Sequence, residues 1–461
     1  MARNILRTGV ATPERIGWVV YDWARSAFIL CVITVVGAQY FVQLFEAAAR
    51  KAGDLRVGPA PALDILGKAL PAEAVWSYCI SAAALLVILA APVTGALADH
   101  WGAKKRFLTG YCVAGVAACF AMALPLPWWA VGLLIVAGLF SFEAGNVFYN
   151  AFLPDIAEPH EQGAVSSVGF AAGYWGGLLA LVLALAFFTP LVLHAAAGPL
   201  RFTFGLVGAW WGGFALITFF LLRERPVARS PAGAWRTAAG AFAGVWHSLR
   251  LLGRHPQALR FLIAYLLYND GVATLITNVT PYAMQNIYTD ATLTQHIGTV
   301  QLVAAIMLVQ LVALPGTLLC GWIAHRIGDK ATVLLTLAVF TAAVAYGQIA
   351  RVASDFYLLA GAVGLVLGGC QALSRSLFAS FVPAGRSAEF FSFFALSNRA
   401  SAMLGPLTYG TLLAFTGETR IALASLAVFF IAGGILLAMV NVAEGLRFAR
   451  SAPAGPGGPR P

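Results

Sequence analysis

The stretch GALADHWGAKKR, Gly95 to Arg106, follows one long apolar run, and GWIAHRIGDK, Gly321 to Lys330, follows another. Gly, Gly and Lys recur at the same offsets in the two stretches, 226 residues apart. A looser echo links Tyr21-Asp22 to Tyr268-Asn269-Asp270. One polar loop occurring twice, each time behind an apolar segment, points to a duplicated membrane chain. Composition agrees. Of 461 residues, 60% are hydrophobic and 10% are charged, against about 25% charged in soluble proteins. This excludes a cytosolic enzyme, a disordered chain and a disulfide-rich secreted module. At about 20 apolar residues per span, the chain has room for at most roughly 13 spans. The apolar runs are long and unbroken, so helices are expected rather than the short alternating strands of a barrel.

Apolar runs and their polar breaks predict twelve spans, at about 16–45, 75–97, 107–126, 128–150, 164–190, 202–222, 259–284, 298–323, 331–350, 356–380, 390–414 and 420–442. With the N-terminus in the cytoplasm, nineteen of the 29 Lys and Arg fall in cytoplasmic segments, seven outside and three within spans. Positive charge inside is what insertion favours. The net charge of +10 is therefore a topology signal and not a nucleic-acid surface. The expected layout is an N-terminal six-helix bundle at 1–222, a basic cytoplasmic linker at 223–258, a C-terminal six-helix bundle at 259–443 and a disordered cytoplasmic tail at 444–461. The linker places Phe242, Trp246 and Leu249 on one helical face beside Arg236, Arg250 and Arg254, the pattern of an amphipathic helix on the membrane surface. The expected location is the cytoplasmic (inner) membrane, with both termini in the cytoplasm and no cleaved leader. Cys31, Cys79, Cys112, Cys119, Cys320 and Cys370 all lie in apolar runs without metal-binding spacing, and neither disulfide nor zinc is expected.

The Gly-x-x-x-Asp-x-x-Gly-x-Lys-Lys-Arg loop resembles the signature loop of the major facilitator superfamily. YDWARSAF (21–28), FYNAFLPDIA (148–157), GFAAGYWGG (169–177), LLYNDG (266–271) and QALSRSLF (371–378) together resemble one branch of it. That branch holds the fungal vacuolar amino-acid effluxers linked to autophagy and their bacterial relatives. The likeness runs from about residue 16 to 415. It implies alternating access by two rocking halves with small solutes as cargo, and amino-acid efflux for the fungal members. Arg25 stands where the branch usually has Asn, and His325 stands where a second-half Asp would mirror Asp99. In the superfamily the signature loop locks the two halves, which gives Asp99, Lys104, Lys105 and Arg106 a gating role. Asp155 is the expected partner of Arg106, and Arg375 lies near the same surface.

Charge inside a bilayer costs at least a few kcal/mol and marks function or a structural ion pair. Six such residues are read here: Asp22, Arg25, Glu143, Asp270, Arg375 and Arg399. Asp22 and Arg25 are three residues apart on one helical face. They read either as a cavity-lining pair that binds a zwitterion, an anion or a proton, or as an ion pair that makes insertion tolerable. Asp270, beside Asn269, is the candidate proton-coupling carboxylate. Arg399, next to Asn398, reads either as a carboxylate clamp or as the partner of Asp270. Glu143, with Asn146 and Asn150 below it, reads as path-lining or as an inter-helix bond. Glycines 169, 173, 176 and 177, and likewise 364 and 368, read as close helix crossings. Pro406 after Gly405 predicts a kink in the eleventh span.

No phosphate-binding loop, metalloprotease motif or hydrolase motif occurs, so an enzyme is not expected, nor is a metal or a cofactor. The committed reading is an all-α protein of twelve transmembrane helices in two pseudo-symmetric bundles. It is expected to be a monomeric secondary transporter of a small polar solute, with an amino acid and proton coupling as the leading form. An organic-anion or sugar carrier is the alternative within transport, and a membrane receptor or scaffold the alternative outside it.

Overall fold

The computed structural model describes residues 12–53, 55–57, 60–101, 103–157, 162–192, 200–224, 253, 255–287, 294–382, 394, 397–398 and 400–451. Backbone groups in hydrocarbon must pair within their own segment, so long apolar runs become helices. Twelve helices carry the expected spans. They are α1 Pro13–Ala52, α2 Ala72–Trp101, α3 Lys104–Met122, α4 Trp128–Ala151, α5 Gln162–Val192, α6 Leu200–Leu221, α7 Pro256–Asn286, α8 Thr294–Ile327, α9 Asp329–Gly347, α10 Ala353–Ala379, α11 Leu404–Thr416 and α12 Thr419–Ala438. Ten are long and apolar enough to cross a membrane. The other two are α3, which opens on Lys104, Lys105 and Arg106, and α11, which has 13 residues.

Local chemistry sets the ends and irregularities. Pro13 begins α1, where its missing N–H is no loss, and the Thr12 hydroxyl accepts from the Arg15 N–H at 3.3 Å. Within α1, Phe28–Val36 winds as a π-helix. The Thr34 hydroxyl donates to the Ile29 carbonyl, five residues back, at 3.0 Å. Gly37 ends this wide turn because a Cβ there would run into the Val32 backbone.

The segment after α1 is not the plain loop that the sequence suggests. Arg56–Val57 (β1), Ala60–Ile65 (β2) and Lys68–Pro71 (β3) form an antiparallel sheet in the order β1-β2-β3. Ile65 pairs with Lys68, leaving Leu66 and Gly67 as a two-residue turn. Both have positive φ, 56° and 78°, as the tight hairpin turns that suit strand twist require.

Two compact units emerge, one of Met1–Leu55 and Ala82–Ala243, the other of Arg56–Ser81 and Gly244–Pro461. In the first, α1 packs on α5 and α6, and α3 packs on α4 and α6. In the second, α7 packs on α11 and α12, and α9 packs on α10 and α12. The same pairings thus recur with each helix number raised by six. The first core stacks Phe28, Phe142 and Trp211. The second stacks Phe261 on Phe378 and Phe340 on Phe430. Outward side chains such as Phe220, Leu318 and Val428 are exposed, as a lipid-facing surface requires. The glycines expected at crossings are buried in them: Gly176 abuts the Trp23 backbone and Gly364 the Val309 backbone.

The recurrence extends to side-chain bonds. Lys105 Nζ donates to the Leu222 carbonyl at 2.8 Å, just past α6. Lys330 Nζ donates to the carbonyls of Ala438 at 2.7 Å and Val440 at 2.8 Å, at the end of α12. A cation on the last carbonyls of a helix satisfies orphan acceptors and complements the helix dipole. Both lysines are half-buried. Charge-assisted bonds of about 1.5–3 kcal/mol, weakened by solvent, leave about 1 kcal/mol for each. Lys105→Met and Lys330→Met are therefore expected to lower stability by similar amounts, read from detergent-solubilised thermal unfolding. A cost at one site only would contradict equivalent roles.

The tail expected to be disordered from 444 is instead helical over Val442–Ser451 (α13). Polar contacts to α7 fix it: Gln257 Nε2 donates to Glu444 at 2.7 Å, and the Asn441 N–H donates to Gln257 Oε1 at 2.9 Å. Phe448 stands edge-on to His255 at 4.4 Å. The pattern of Pro and Gly that signals disorder begins only after Ser451. The expected amphipathic helix of the linker, around Phe242, Trp246 and Leu249, lies outside the described residues.

Candidate functional site

The first unit holds a buried ion pair in α1. Arg25 donates from Nε to Asp22 Oδ1 at 2.8 Å, and its Nη2 lies 2.6 Å from the same oxygen. Three-residue helical spacing brings the two together, and both are buried. α4 supplies the walls. The guanidinium lies 4.9 Å from the Phe142 ring centroid and 4.7 Å from that of Tyr149. Tyr149 is held in place by Trp18, which stacks on it at 4.3 Å and donates Nε1–H to its carbonyl at 2.9 Å. α5 approaches through Gly173, where a Cβ would meet Ser26 Oγ at 2.7 Å and Asp22 Cγ at 3.6 Å. Arg25 Nη1 is buried without a hydrogen-bond partner among the described residues. The pair therefore offers one cationic edge, framed by aromatic rings, beyond what Asp22 neutralises.

Elsewhere in this unit, Glu143 and Asn146 are half-buried on α4, and Asn150 Nδ2 donates to Asn146 Oδ1 at 3.2 Å. Lys104 pairs with Asp155 at 3.2 Å, so Arg106 is not the partner of Asp155 as expected. The helix that begins at Lys104 turns Arg106 outward to an exposed position. The Lys105 N–H donates to Glu224 Oε1 at 2.9 Å. The Asp99 side chain lies outside the described residues.

The second unit brings α7 against the start of α11. Asn269 Nδ2 donates to Asn398 Oδ1 at 3.0 Å and to Ser401 Oγ at 2.6 Å. Tyr265 donates its hydroxyl to the same Asn398 oxygen at 2.9 Å. Asp270 is wholly buried. Its Oδ2 accepts from the Gly405 N–H at 2.8 Å, and its Oδ1 has no hydrogen-bond partner among the described residues. No cation pairs with it among those residues. Thr274, one turn on, donates to the Asp270 carbonyl at 2.7 Å. Tyr268 and Ser374 share a hydrogen bond of 2.7 Å. Arg399 lies outside the described residues, so its two readings are untouched. Arg375 is exposed on α10 and makes its own contacts.

Of the residues predicted from sequence, two sets are gathered: Asp22 with Arg25, and Asn269 and Asp270 with the 398–405 segment. Phe142, Tyr149, Ser401 and Gly405 were missed. Tyr149 does lie inside the FYNAFLPDIA stretch, the one signal that could have found it. No cluster of metal-ligating side chains occurs among the described residues.

Comparison with known proteins accords with this architecture. The profile of the family described as "Vacuole effluxer Atg22 like" matches residues 11–450. The uncharacterized MFS-type transporter YxiO of Bacillus subtilis (strain 168) is 29% identical over 438 residues, covering 93% of this chain and 95% of its own. Autophagy-related protein 22-2 of Penicillium rubens is 23% identical over 561 residues, covering 95% and 90%. Among solved structures, the peptide transporter POT in complex with sulfate superposes with a TM-score of 0.65 at 15% identity, covering 95% of this chain and 96% of that one. The fold is thus that of major facilitator transporters, and a small-molecule cargo follows from the transporter relatives. The chain is an integral multi-pass membrane transporter, not an enzyme, and belongs to the vacuole effluxer Atg22-like family.

Proposed function

We propose that this transporter is a secondary carrier of a small polar solute, with amino acids as the leading class, working by alternating access and coupled to protons. The observation that carries the coupling is Asp270, a fully buried carboxyl group with one unpartnered oxygen and no cation beside it among the described residues. Intramembrane carboxyl groups of this kind mark proton and ion pathways. The amino-acid class rests on the family's description and on Arg25, whose free cationic edge suits a carboxylate. Glu143, Asn146, Asn398 and Arg399 complete the path in this reading. Asp99, Lys104, Lys105, Arg106, Asp155 and Arg375 form the gating set. The two six-helix halves, 1–222 and 259–443, are the moving bodies. The charge asymmetry of the loops supports a cytoplasmic membrane with both termini inside.

The test uses purified protein in liposomes under an imposed pH gradient, with a mixture of radiolabelled amino acids. Asp270→Asn is expected to drop gradient-driven accumulation to the level of empty liposomes while exchange across the membrane at equal pH continues. Full accumulation by that variant removes Asp270 from coupling. A second reading, an organic-anion carrier, draws on the same edge of Arg25. Competition decides between them: acids lacking an amino group would displace the label as well as amino acids do.

A further inference from the structure

The eleventh span is interrupted in a specific way. Ser397, Asn398 and Ala400 are helical, and the Ser401 N–H bonds the Ser397 carbonyl at 2.9 Å. Ser401–Met403 then form a turn, and α11 begins afresh at Leu404. Pro406 explains the interruption, since it has no N–H for the Ala402 carbonyl and its ring would collide with that carbonyl in a continuous helix. Two neighbouring residues of α7 hold the two sides of this break. Asn269 binds the upstream side through Asn398 Oδ1 and Ser401 Oγ. Asp270 binds the downstream side through the Gly405 N–H, one of the orphan donors at the start of α11.

The fit is close on both sides. Ser401 is fully buried, and it accepts from Asn269 while donating to the Asn398 carbonyl at 2.8 Å. Gly405 must lack a side chain, because a Cβ would stand 2.7 Å from Asp270 Oδ1 and 2.9 Å from the Asp270 carbonyl. The Met403 carbonyl, inside the turn, accepts from Ser81 Oγ at 3.2 Å. The turn is therefore held from outside its own helix, by bonds that side-chain changes on α7 can release.

We infer that Asn269, Ser401 and Gly405 are positioning residues of a clasp by which α7 sets the bend of the eleventh span at Ser401–Met403. Released at either side, that span is free to change its bend, which is how a discontinuous helix is used in carriers. The clasp stands apart from the proton reading: it requires these bonds, not titration of Asp270.

Hydrogen–deuterium exchange of the full-length protein in detergent tests it. Asn269→Asp keeps the volume but loses both donors. It is expected to speed exchange of the amides in 401–407 at least tenfold while leaving 256–267 and 419–438 unchanged. Ser401→Ala, which removes the acceptor from the other partner, should reproduce the pattern. Unchanged exchange at 401–407 in both variants overturns the clasp. So does an increase spread equally over all three segments, which would mean general loosening. If Asp270→Asn lacks gradient-driven accumulation while the clasp variants show no local change, coupling survives and the clasp fails. The reverse pattern spares the clasp and removes the coupling.

Discussion

Arg25→Ala is expected to lower the unfolding free energy by about 3–5 kcal/mol, the cost of leaving a buried charge uncompensated. Asp22 is only 4% exposed and takes both close contacts from this one guanidinium. Without it, the carboxylate has neither cation nor water. The guanidinium also lies against Tyr149 and Phe142, and a desolvated cation–π contact contributes about 2 kcal/mol more, so truncation removes attraction on several sides. Asp22→Asn in the Arg25→Ala background removes the stranded charge and should recover a large part of the loss. Thermal and denaturant unfolding of the purified variants would measure this. A single-variant loss below about 1 kcal/mol, the range of exposed pairs, would mean that the pair is open to water and not sealed. The same variants separate the two roles weighed for this pair. A double variant that regains stability but not transport assigns Arg25 to the cargo, whereas one that regains both makes it structural.

Gly176→Ala is expected to cost about 1–3 kcal/mol through overpacking. The new Cβ would lie 2.9 Å from the Trp23 carbonyl carbon and Cα. Those atoms belong to backbone, which cannot swing aside as a side chain would. Gly213 on α6 supplies the control, because a Cβ there meets nothing within 4 Å. Gly213→Ala is expected to stabilise by up to about 1 kcal/mol, the helix-propensity difference. Opposite signs for one chemical change in two apolar helices would tie the loss to the α1–α5 crossing. Equal effects of one sign would refute that assignment.

The spans were legible because hydrocarbon imposes one solution on any long apolar run, and the duplication because Gly95, Gly102 and Lys104 return at Gly321, Gly328 and Lys330. The Asp22–Arg25 pair was legible because a helix brings residues three apart together. Other features depend on partners far along the chain. Phe142 and Tyr149 flank Arg25 from more than a hundred residues away, and no spacing rule announces that. Three consecutive cations, Lys104 to Arg106, gave no basis for choosing which meets Asp155. The strands at 56–71 are too short and mixed for a periodicity to register. Pro406 announced a kink in the eleventh span, but not that Asn269 and Asp270 would hold its two sides.

The wide turn at Phe28–Val36 makes α1 sensitive to counting. Each residue of an α-helix advances the screw by about 100°. Removing one residue there would let the segment wind as ordinary α-helix and swing Gly37–Ala52 round by that angle. Tyr40 would leave Phe204, and Phe41 and Phe45 would leave Trp128, the rings they now meet. For this stretch a shortened gene should be more damaging than most misspelled ones, since the number of letters carries the message as much as their identity.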